Sequence, residues 1–305
     1  MSGDAPQAAG DQSTDAPAEV PEVHDPRPCE LGEGALWHPL LRQLFWFDIE
    51  GHALLWQEAG GPRHHAFPGP VSAAGWIDEG SLLVASDRAL LRLDLASGHS
   101  EDLVALEADN PLTRSNDGRA DPHGGFWIGT MGRAGEAGAG ALYRYAGGEL
   151  RKLRDGLTTP NALCFSPDGA WGYHADTRQR HIWRWRLDGS GWPCEAPEPF
   201  LDFMAEGLRP DGAVTDAQGN LWIAQWGAAR VACHAPDGRF LRALHLPTAH
   251  GSCPCFGGAD LRDLFVTTAR QKLSQEQLAE QPLAGQVFRF AGVGRGRPEP
   301  RVILT

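Results

Sequence analysis

The sequence has little positive charge and no long apolar run. Lysine occurs at Lys152 and Lys272 only, and the 305 residues carry a formal net charge of −12 at pH 7. This balance disfavours nucleic acid or an anionic membrane as a partner, because either would need a basic face. No segment approaches the roughly 18 apolar residues that cross a bilayer. We therefore expect a soluble protein that binds neither nucleic acid nor membrane.

Cysteine is also scarce. Six cysteines are scattered along the chain, at positions 29, 164, 194, 233, 253 and 255, which disfavours the dense disulfide framework of small secreted proteins. The N-terminal residues lack the apolar core of a signal peptide. Both observations predict a reducing, cytoplasmic setting. Cys253 and Cys255 are spaced too tightly for a usual structural zinc site, so we interpret them as core residues.

Residues 1–28 differ in composition from the rest of the chain. They are rich in Ala, Pro, Gly and acidic residues, and Val20 and Val23 are their only large aliphatic side chains. Such a segment cannot bury enough apolar surface to offset its chain entropy. We predict a disordered acidic tail over residues 1–28, with a partner-binding arm as the alternative, and one folded domain over residues 29–305.

Glycine and proline are abundant, with 38 and 23 residues respectively, and this argues against a helical protein. Between the turns, short apolar-aromatic strands recur at intervals of 37, 44, 46, 49 and 43 residues, centred on Trp46, Leu83, Trp127, Tyr173, Trp222 and Phe265. Six such units match the blades of a β-propeller. We predict an all-β, six-bladed propeller, with an irregular all-β domain as the alternative. The helical pattern over residues 274–281 predicts an insertion in the last unit.

Four of the six units carry an oxygen-bearing side chain at nearly the same phase. Glu33, Asn116, Asn161 and Asp211 lie 11 to 13 residues before the central residue of their unit. In a propeller, the loops that enter the innermost strands converge on the central channel, so these side chains can meet there. Two carboxylates and two amide oxygens suit a hard divalent metal ion. The alternative is that they are ordinary turn residues and a strand cap.

Five motifs occur in order along the chain: LGEGALW (31–37) with FWFDI (45–49), RSNDG (114–118) with GTMG (129–132), TPNAL (159–163) with SPDG (166–169), PDG (210–212) with GNLW (219–222), and CFGG (255–258) with LFVTT (264–268). Together they resemble the gluconolactonase/regucalcin (senescence-marker-protein) family of sugar lactonases. The resemblance extends from about residue 30 to residue 290, and five ordered motifs make it specific.

The resemblance implies a six-bladed propeller that hydrolyses sugar lactones with one divalent metal ion (Ca, Mg, Mn, Zn or Fe) in the channel. The family's metal ligands fall on Glu33, Asn161 and Asp211, and Asp211 also falls on its general base. Arg114 falls on a position that contacts substrate hydroxyls, and Asn116 lies beside the metal or binds substrate. In such a site the metal polarises the lactone carbonyl while Asp211 takes a proton from water. The expected partner is a small sugar lactone, and the protein is expected to be a monomer or a weak homo-oligomer.

The chain departs from the family pattern at one point. Where regucalcin-like members carry an acidic substrate contact after Gly-Thr-Met, this sequence reads GRAGE over residues 132–136. Glu136 is a candidate for that contact, and Asp117 is a further candidate near the channel. Trp226 either lines a sugar pocket or packs in the core. The choice of sugar therefore stays open.

Two other functions stay open as well. A non-catalytic propeller could bind a calcium-like ion or a protein partner. The joint presence of Glu33, Asn116, Asn161 and Asp211 favours the enzyme, because a scaffold needs no such set. An arylesterase-type hydrolase would use the same site with an apolar pocket, whereas Arg114 and Asn116 suit a polyol.

Overall fold

A computed structural model describes residues 20–304 of the chain. Within that range, 24 strands form six four-stranded antiparallel sheets, and there is one helix. The first sheet contains β2 (Gly32–His38), β3 (Gln43–Asp48), β4 (Ala53–Glu58) and β5 (Gly61–Ala66), and the second contains β6 (Val71–Asp78), β7 (Ser81–Ser86), β8 (Ala89–Asp94) and β9 (Ser100–Ala105). The third contains β10 (Thr113–Ala120), β11 (Phe126–Gly132), β12 (Gly140–Ala146) and β13 (Glu149–Leu157), and the fourth contains β14 (Pro160–Phe165), β15 (Trp171–Asp176), β16 (His181–Arg186) and β17 (Glu198–Asp202). The fifth contains β18 (Pro210–Thr215), β19 (Leu221–Gln225), β20 (Arg230–His234) and β21 (Phe240–His245), and the sixth contains β22 (Gly251–Gly257), β23 (Asp263–Thr268) and β24 (Val287–Phe290) together with β1 (Glu22–Asp25). The helix α1 (Gln275–Glu280) lies between β23 and β24.

The six sheets are the blades of a β-propeller, which confirms the predicted fold class. The first strand of each blade lies innermost: β2, β6, β10, β14, β18 and β22 each contact the inner strand of the next blade, and β22 contacts β2 to close the ring. Nearly every residue of these inner strands is buried. The six inner strands therefore form the wall of the central channel.

The central residues of the sequence repeat all lie in the second strand of their blade, and all six are buried. They pack into apolar clusters that join neighbouring blades. Trp46 of the first blade, for example, shares a cluster with Cys255 and Phe265 of the last. Fully burying one such large apolar side chain contributes about 2–3 kcal/mol. The repeat in the sequence thus reflects the packing of one blade against the next.

The six cysteines are all free thiols, and five of them are buried.

Strand β1 corrects the predicted boundary of the N-terminal tail. Residues 22–25 pair antiparallel with β24, with Val23 opposite Phe288, so the last blade is completed by the N-terminal end of the chain. The predicted disordered tail is wrong for these four residues. An outer strand is held by backbone hydrogen bonds, which do not depend on apolar composition. Residues 20, 21 and 26–28 of the predicted tail are described without regular secondary structure, and residues 1–19 lie outside the described residues.

The carboxylate of Asp25 links the last blade to the first. It is fully buried, pairs with Arg27 Nη2 at 2.8 Å and accepts a hydrogen bond from Gln57 Nε2 of β4 at 2.7 Å. Burial by itself would raise the pKa of Asp25, but the hydrogen bonds from Arg27 and Gln57 outweigh it and hold the pKa below its usual range. The ring is therefore closed by an ionised carboxylate as well as by β1.

Replacing Asp25 with alanine should lower the free energy of unfolding by about 2–4 kcal/mol, because Arg27 and Gln57 lose a buried acceptor. Urea unfolding at neutral pH measures the loss. Since the folded pKa lies below the unfolded value of about 3.9, this stabilisation is complete above that value and is lost as the pH falls through the folded pKa. The Glu149→Ala variant, whose exposed carboxylate pairs with exposed Arg151, is the control and should change little. Equal midpoints for Asp25→Ala and the parent at neutral pH would contradict this role.

The predicted helix is confirmed over Gln275–Glu280. It begins with a capping box, in which the Ser274 hydroxyl accepts from the Gln277 backbone N–H and the Gln277 side chain accepts from the Ser274 backbone N–H. The two reciprocal hydrogen bonds satisfy groups that the first helical turn leaves without partners. Across residues 20–304, the structure contains no helix with the length and apolar character that spanning a membrane requires.

The C-terminal segment, residues 295–303, covers the end of the channel where the inner strands finish. Arg297 donates to the Thr215 hydroxyl at the end of β18, and Val302 is buried in a cluster between the second and third blades. Between them, Glu299 forms an ion pair with Arg119 of β10, and both side chains are more than nine-tenths buried. The opposite end of the channel, where the inner strands begin, stays accessible.

The Glu299→Ala variant should lose about 3–5 kcal/mol of unfolding free energy, because Arg119 would remain buried without its ion-pair partner. Chemical denaturation measures this loss. The double variant Arg119→Met/Glu299→Leu removes both charges and should regain most of the stability. If the single variant is as stable as the parent, the C-terminal segment does not hold the blades in the way described.

Candidate active site

A cavity of about 490 Å³ opens at the end of the channel where the inner strands begin. Five of the residues that the sequence singled out line it together: Glu33 of β2, Arg114 and Asn116 of β10, Asn161 of β14 and Asp211 of β18. They come from four blades and are separated by up to 178 positions in the sequence. The remaining lining residues are Leu31, Met131, Ala134, Gly135, Thr159, Thr177, Arg178, Arg180, Arg209, Trp226, Gln271 and Lys272.

A β-bulge in each inner strand turns these side chains toward the cavity. The pairing with the second strand shifts register just after Glu33 and Asn161, and in β10 and β18 the shift spans Asn116 and Asp211. β6 and β22 contain the same shift. A bulge re-aims the side chains of the strand that carries it. At Gly34 this requires a φ of +55°, and a Cβ there would lie 2.3 Å from the Ser72 carbonyl oxygen.

A chain of hydrogen bonds crosses the floor of the cavity from blade to blade. Arg114 Nη1 donates to Asn116 Oδ1 at 3.0 Å, and Asn116 Nδ2 donates to Asn161 Oδ1 at 2.9 Å. Asn161 Nδ2 in turn donates to Thr177 Oγ1 at 2.8 Å, and the Thr177 hydroxyl donates to the Pro210 carbonyl at 2.7 Å. The orientation of the Asn161 amide is therefore set from both sides, and the chain ends next to Asp211.

The two carboxylates of the cavity are buried, and neither forms an ion pair with any residue between 20 and 304. Burial, together with the negative charge of Asp117, raises the pKa of Glu33 to about 8. Burial and the nearby charges of Glu33 and Asp117 raise the pKa of Asp211 well above its ordinary value. Glu33 accepts a hydrogen bond from the Gly34 N–H, and no hydrogen bond to the Asp211 carboxylate occurs among residues 20–304. Two like charges in this position are stabilised by a cation.

This donor set fits a hard divalent cation. The oxygens of Glu33, Asp211 and Asn161 are the ligand type of such ions, and two carboxylates balance a double positive charge. The described part of the chain contains no group of three or more His, Cys, Asp and Glu residues arranged to hold a metal. A metal in this cavity would thus depend on the Asn161 amide oxygen as well as on the two carboxylates.

Two further candidates from the sequence do not line the cavity. Asp117 is buried beside it and accepts a hydrogen bond from the Leu163 N–H at 2.8 Å, so it braces β14. Glu136 is exposed, and its carboxylate accepts from the Ala134 N–H within its own loop at 3.1 Å. The structure therefore does not place Glu136 where a substrate contact was considered.

Several lining residues escaped the sequence analysis because they lie in loops outside the repeat. Thr177 follows β15, and Lys272 follows β23; the scarcity of lysine was the one signal that could have drawn attention to Lys272. Trp226 satisfies both interpretations made from the sequence, since it lines the cavity and packs on an apolar cluster. Its ring stacks on His250, with the centroids 4.1 Å apart and the planes 14° from parallel.

A family model described as SMP-30/Gluconolactonase/LRE-like region matches residues 31–270. The chain belongs to this family. That confirms the resemblance of the five motifs, and the matched region contains all five candidate residues that line the cavity.

Two relatives and one solved structure show how far the similarity extends. The L-arabinolactonase of Azospirillum brasilense is 37% identical over 287 residues, which cover 87% of this chain and 94% of the relative. The 6-deoxy-6-sulfogluconolactonase of Pseudomonas putida is 36% identical over 267 residues, or 86% of this chain and 91% of the relative. The crystal structure of regucalcin from Agrobacterium tumefaciens str. C58, described as a calcium-binding protein, matches with a TM-score of 0.92 and 37% identity over 94% of this chain and 98% of that chain.

The Thr177→Val variant tests the hydrogen-bond chain, because valine keeps the shape of threonine but neither donates nor accepts. We expect a loss of about 1–2 kcal/mol in unfolding free energy, since the Asn161 amide and the Pro210 carbonyl each lose a partner. Thermal or urea unfolding measures it. Thr177→Ser keeps the hydroxyl and should retain most of the stability; a serine variant as weak as the valine variant would count against the hydrogen bonds.

Proposed function

We propose that this protein is an enzyme that hydrolyses a sugar lactone to the corresponding aldonic acid in the cavity at the start of the inner strands. The observation that carries the proposal is that Glu33, Asn116, Asn161 and Asp211, from four blades, line one cavity together with Arg114. Relatives named as lactonases match nearly the whole chain, which supports lactone hydrolysis as the reaction class.

Glu33, Asn161 and Asp211 are the residues that would hold a divalent metal ion. All three donors are oxygen atoms, which favours Ca²⁺, Mg²⁺ or Mn²⁺ over Zn²⁺ or Fe²⁺, ions that often take nitrogen or sulfur ligands. The family member from Agrobacterium tumefaciens is described as calcium-binding, in agreement with this preference. When bound, the ion would supply Lewis acidity toward the lactone carbonyl and favour deprotonation of water.

Asp211 is the group that we assign as general base. Its carboxylate accepts no hydrogen bond among residues 20–304, so a lone pair remains available to take a proton from the attacking water. Removing that proton as the water adds to the carbonyl avoids a high-energy cationic intermediate, and general-base assistance of this kind contributes about 10²–10⁴-fold to rate. The ring then opens as its C–O bond breaks, and the alkoxide that leaves takes the proton that Asp211 holds, which gives the hydroxyl of the aldonic acid and restores the Asp211 carboxylate.

Arg114 and Asn116 have different roles in this proposal. Arg114 uses Nη1 to donate to the Ser115 carbonyl and to Asn116 Oδ1, and its Nε and Nη2 donate to no group among residues 20–304. Those donors can bind the ring oxygen or a hydroxyl of a polyol. Asn116 donates its amide hydrogens to the Pro160 carbonyl and to Asn161 Oδ1. It is therefore a positioning residue, with one lone pair of Oδ1 left for a substrate hydroxyl.

The polarity of the cavity supports a sugar over an apolar ester. Charged, amide and hydroxyl side chains form most of its lining, and the large apolar side chains there are those of Leu31, Met131 and Trp226. Hydroxyl groups of a polyol can replace the water that these polar groups would otherwise bind, whereas an aryl ester would leave them without partners.

Hydrolysis of an aldonolactone panel, followed by pH indicator, tests the proposal. Enzyme stripped by chelation should fall to the spontaneous rate and recover with added Ca²⁺, Mg²⁺ or Mn²⁺. The Asp211→Asn variant, which keeps the shape of the side chain, should lose about 10²-fold or more in kcat. Glu149→Gln, on the exposed strand β13, is the control and should match the parent. A folded protein that never exceeds the spontaneous rate, whether Ca²⁺, Mg²⁺, Mn²⁺, Zn²⁺ or Fe²⁺ is added, would refute lactone hydrolysis.

A further inference from the structure

Positive side chains surround the mouth of the candidate active site. Arg178 and Arg180 lie in the turn between β15 and β16, Arg209 directly precedes β18, and Lys272 follows β23. We refer to these four as the rim cations. Three different blades supply them, all four line the same cavity, and three of the four are exposed while Arg180 is half-buried.

The lining of the cavity carries more positive than negative charge, although the chain as a whole is negatively charged. With Arg114 deeper inside, five cations line the cavity and two carboxylates face them. Glu50, which accepts a hydrogen bond from Gln271 at this rim, and Asp117, which is buried beside the cavity, add two further negative charges. The chain as a whole carries a net charge of −12. The local excess of positive charge is thus a property of this cavity and not of the surface in general.

The rim cations are not held in place by other residues of the described part of the chain, although the charge of Lys272 acts on Asp211. Other arginines pair with carboxylates, as Arg184 does with Glu198 and Arg289 with Asp263. By contrast, the side chains of the rim cations make neither an ion pair nor a hydrogen bond with any group among residues 20–304. Neutralising Glu33 and Asp211 with a divalent ion would increase the excess of positive charge. A neutral lactone would leave that charge uncompensated.

We propose that the lactone carries an anionic substituent (a phosphate, sulfonate or carboxylate) and that the rim cations form its subsite. This inference rests on the proposed lactone hydrolysis and narrows it to a substrate class. The guanidinium groups of Arg178, Arg180 and Arg209 can each hold an oxyanion through two parallel hydrogen bonds, and Lys272 adds a compact point charge. Cations that converge on one mouth also focus the field and speed the capture of an anion.

Steady-state kinetics on matched lactones tests the subsite. The probes are D-glucono-1,5-lactone, its 6-phosphate, its 6-deoxy-6-sulfonate and D-glucaro-1,4-lactone, each corrected for spontaneous hydrolysis. We expect kcat/KM for at least one anionic lactone to exceed that for the neutral one by about 10-fold or more, the effect of one hydrogen bond to a charged group. The three anionic probes distinguish phosphate, sulfonate and carboxylate. The preference should shrink as KCl rises from about 20 to about 300 mM.

Variants assign the effect to the rim. Arg180→Gln and Arg209→Gln should each lower kcat/KM for the preferred anionic lactone by about 5- to 20-fold, mostly through KM, and change the value for the neutral lactone by less than about 2-fold. Arg151→Gln removes a cation from the outer strand β13 and is the matched control. Equal kcat/KM for neutral and anionic lactones, or equal losses on both in the rim variants, would overturn the inference while leaving lactone hydrolysis intact.

A binding measurement keeps the test independent of turnover. Titration calorimetry with 6-phosphogluconate, 6-deoxy-6-sulfogluconate, glucarate and gluconate should show tighter binding of an anion-bearing acid than of gluconate, and Arg180→Gln should abolish the difference. If no lactone is hydrolysed but this difference is seen, the anionic subsite stands and the proposed reaction fails. If gluconate binds as tightly as all three others, the subsite is refuted whatever the activity.

Discussion

The cavity of this protein depends on one backbone feature that recurs six times, the β-bulge near the start of each inner strand. The bulge re-aims polar side chains toward the channel, while the rest of the strand stays in register with its neighbour. Because the inner strands of all blades begin at the same end of the ring, the re-aimed side chains converge there. Glu33, Asn161 and Asp211 meet through this repeated geometry and not through closeness in the sequence.

Bringing these side chains together buries like charges close to one another. Burial raises the pKa of Glu33, Asp211 and the neighbouring Asp117, and repulsion between carboxylates adds to the rise for Glu33 and Asp211. The hydrogen-bond chain from Arg114 to Thr177 contributes fixed amide dipoles, and its one charged member, Arg114, acts on Glu33 through its charge without forming an ion pair. A cation bound beside the two carboxylates would offset this repulsion, and this is the basis on which we propose a metal-dependent reaction.

The polar side chains of the cavity keep their positions only if the ring of blades stays closed, and both ends of the described chain help to keep it closed. At one side β1 completes the last blade, and Asp25 ties it to the first through Gln57. At the far end of the channel the C-terminal segment inserts Glu299 against Arg119. One end of the channel is thereby closed, and the other, with its exposed arginines and Lys272, is left for small molecules.

The sequence by itself determined the six-bladed fold, because blade-to-blade packing demands a buried apolar residue at a fixed position in every unit, and Trp46, Trp127 and Trp222 reveal that period. It also identified Glu33, Asn116, Asn161 and Asp211, since the bulge that aims them recurs at one phase of the same repeat, and the family resemblance added Arg114. The closing strand β1, the buried pair of Glu299 with Arg119 and the rim cations were decided by the tertiary structure alone. Each depends on contacts between chain ends or loops that follow no period, so composition and spacing carry no trace of them. Thr177 belongs with these, because a hydroxyl in a turn becomes part of a site only when another blade places Asn161 within hydrogen-bond distance.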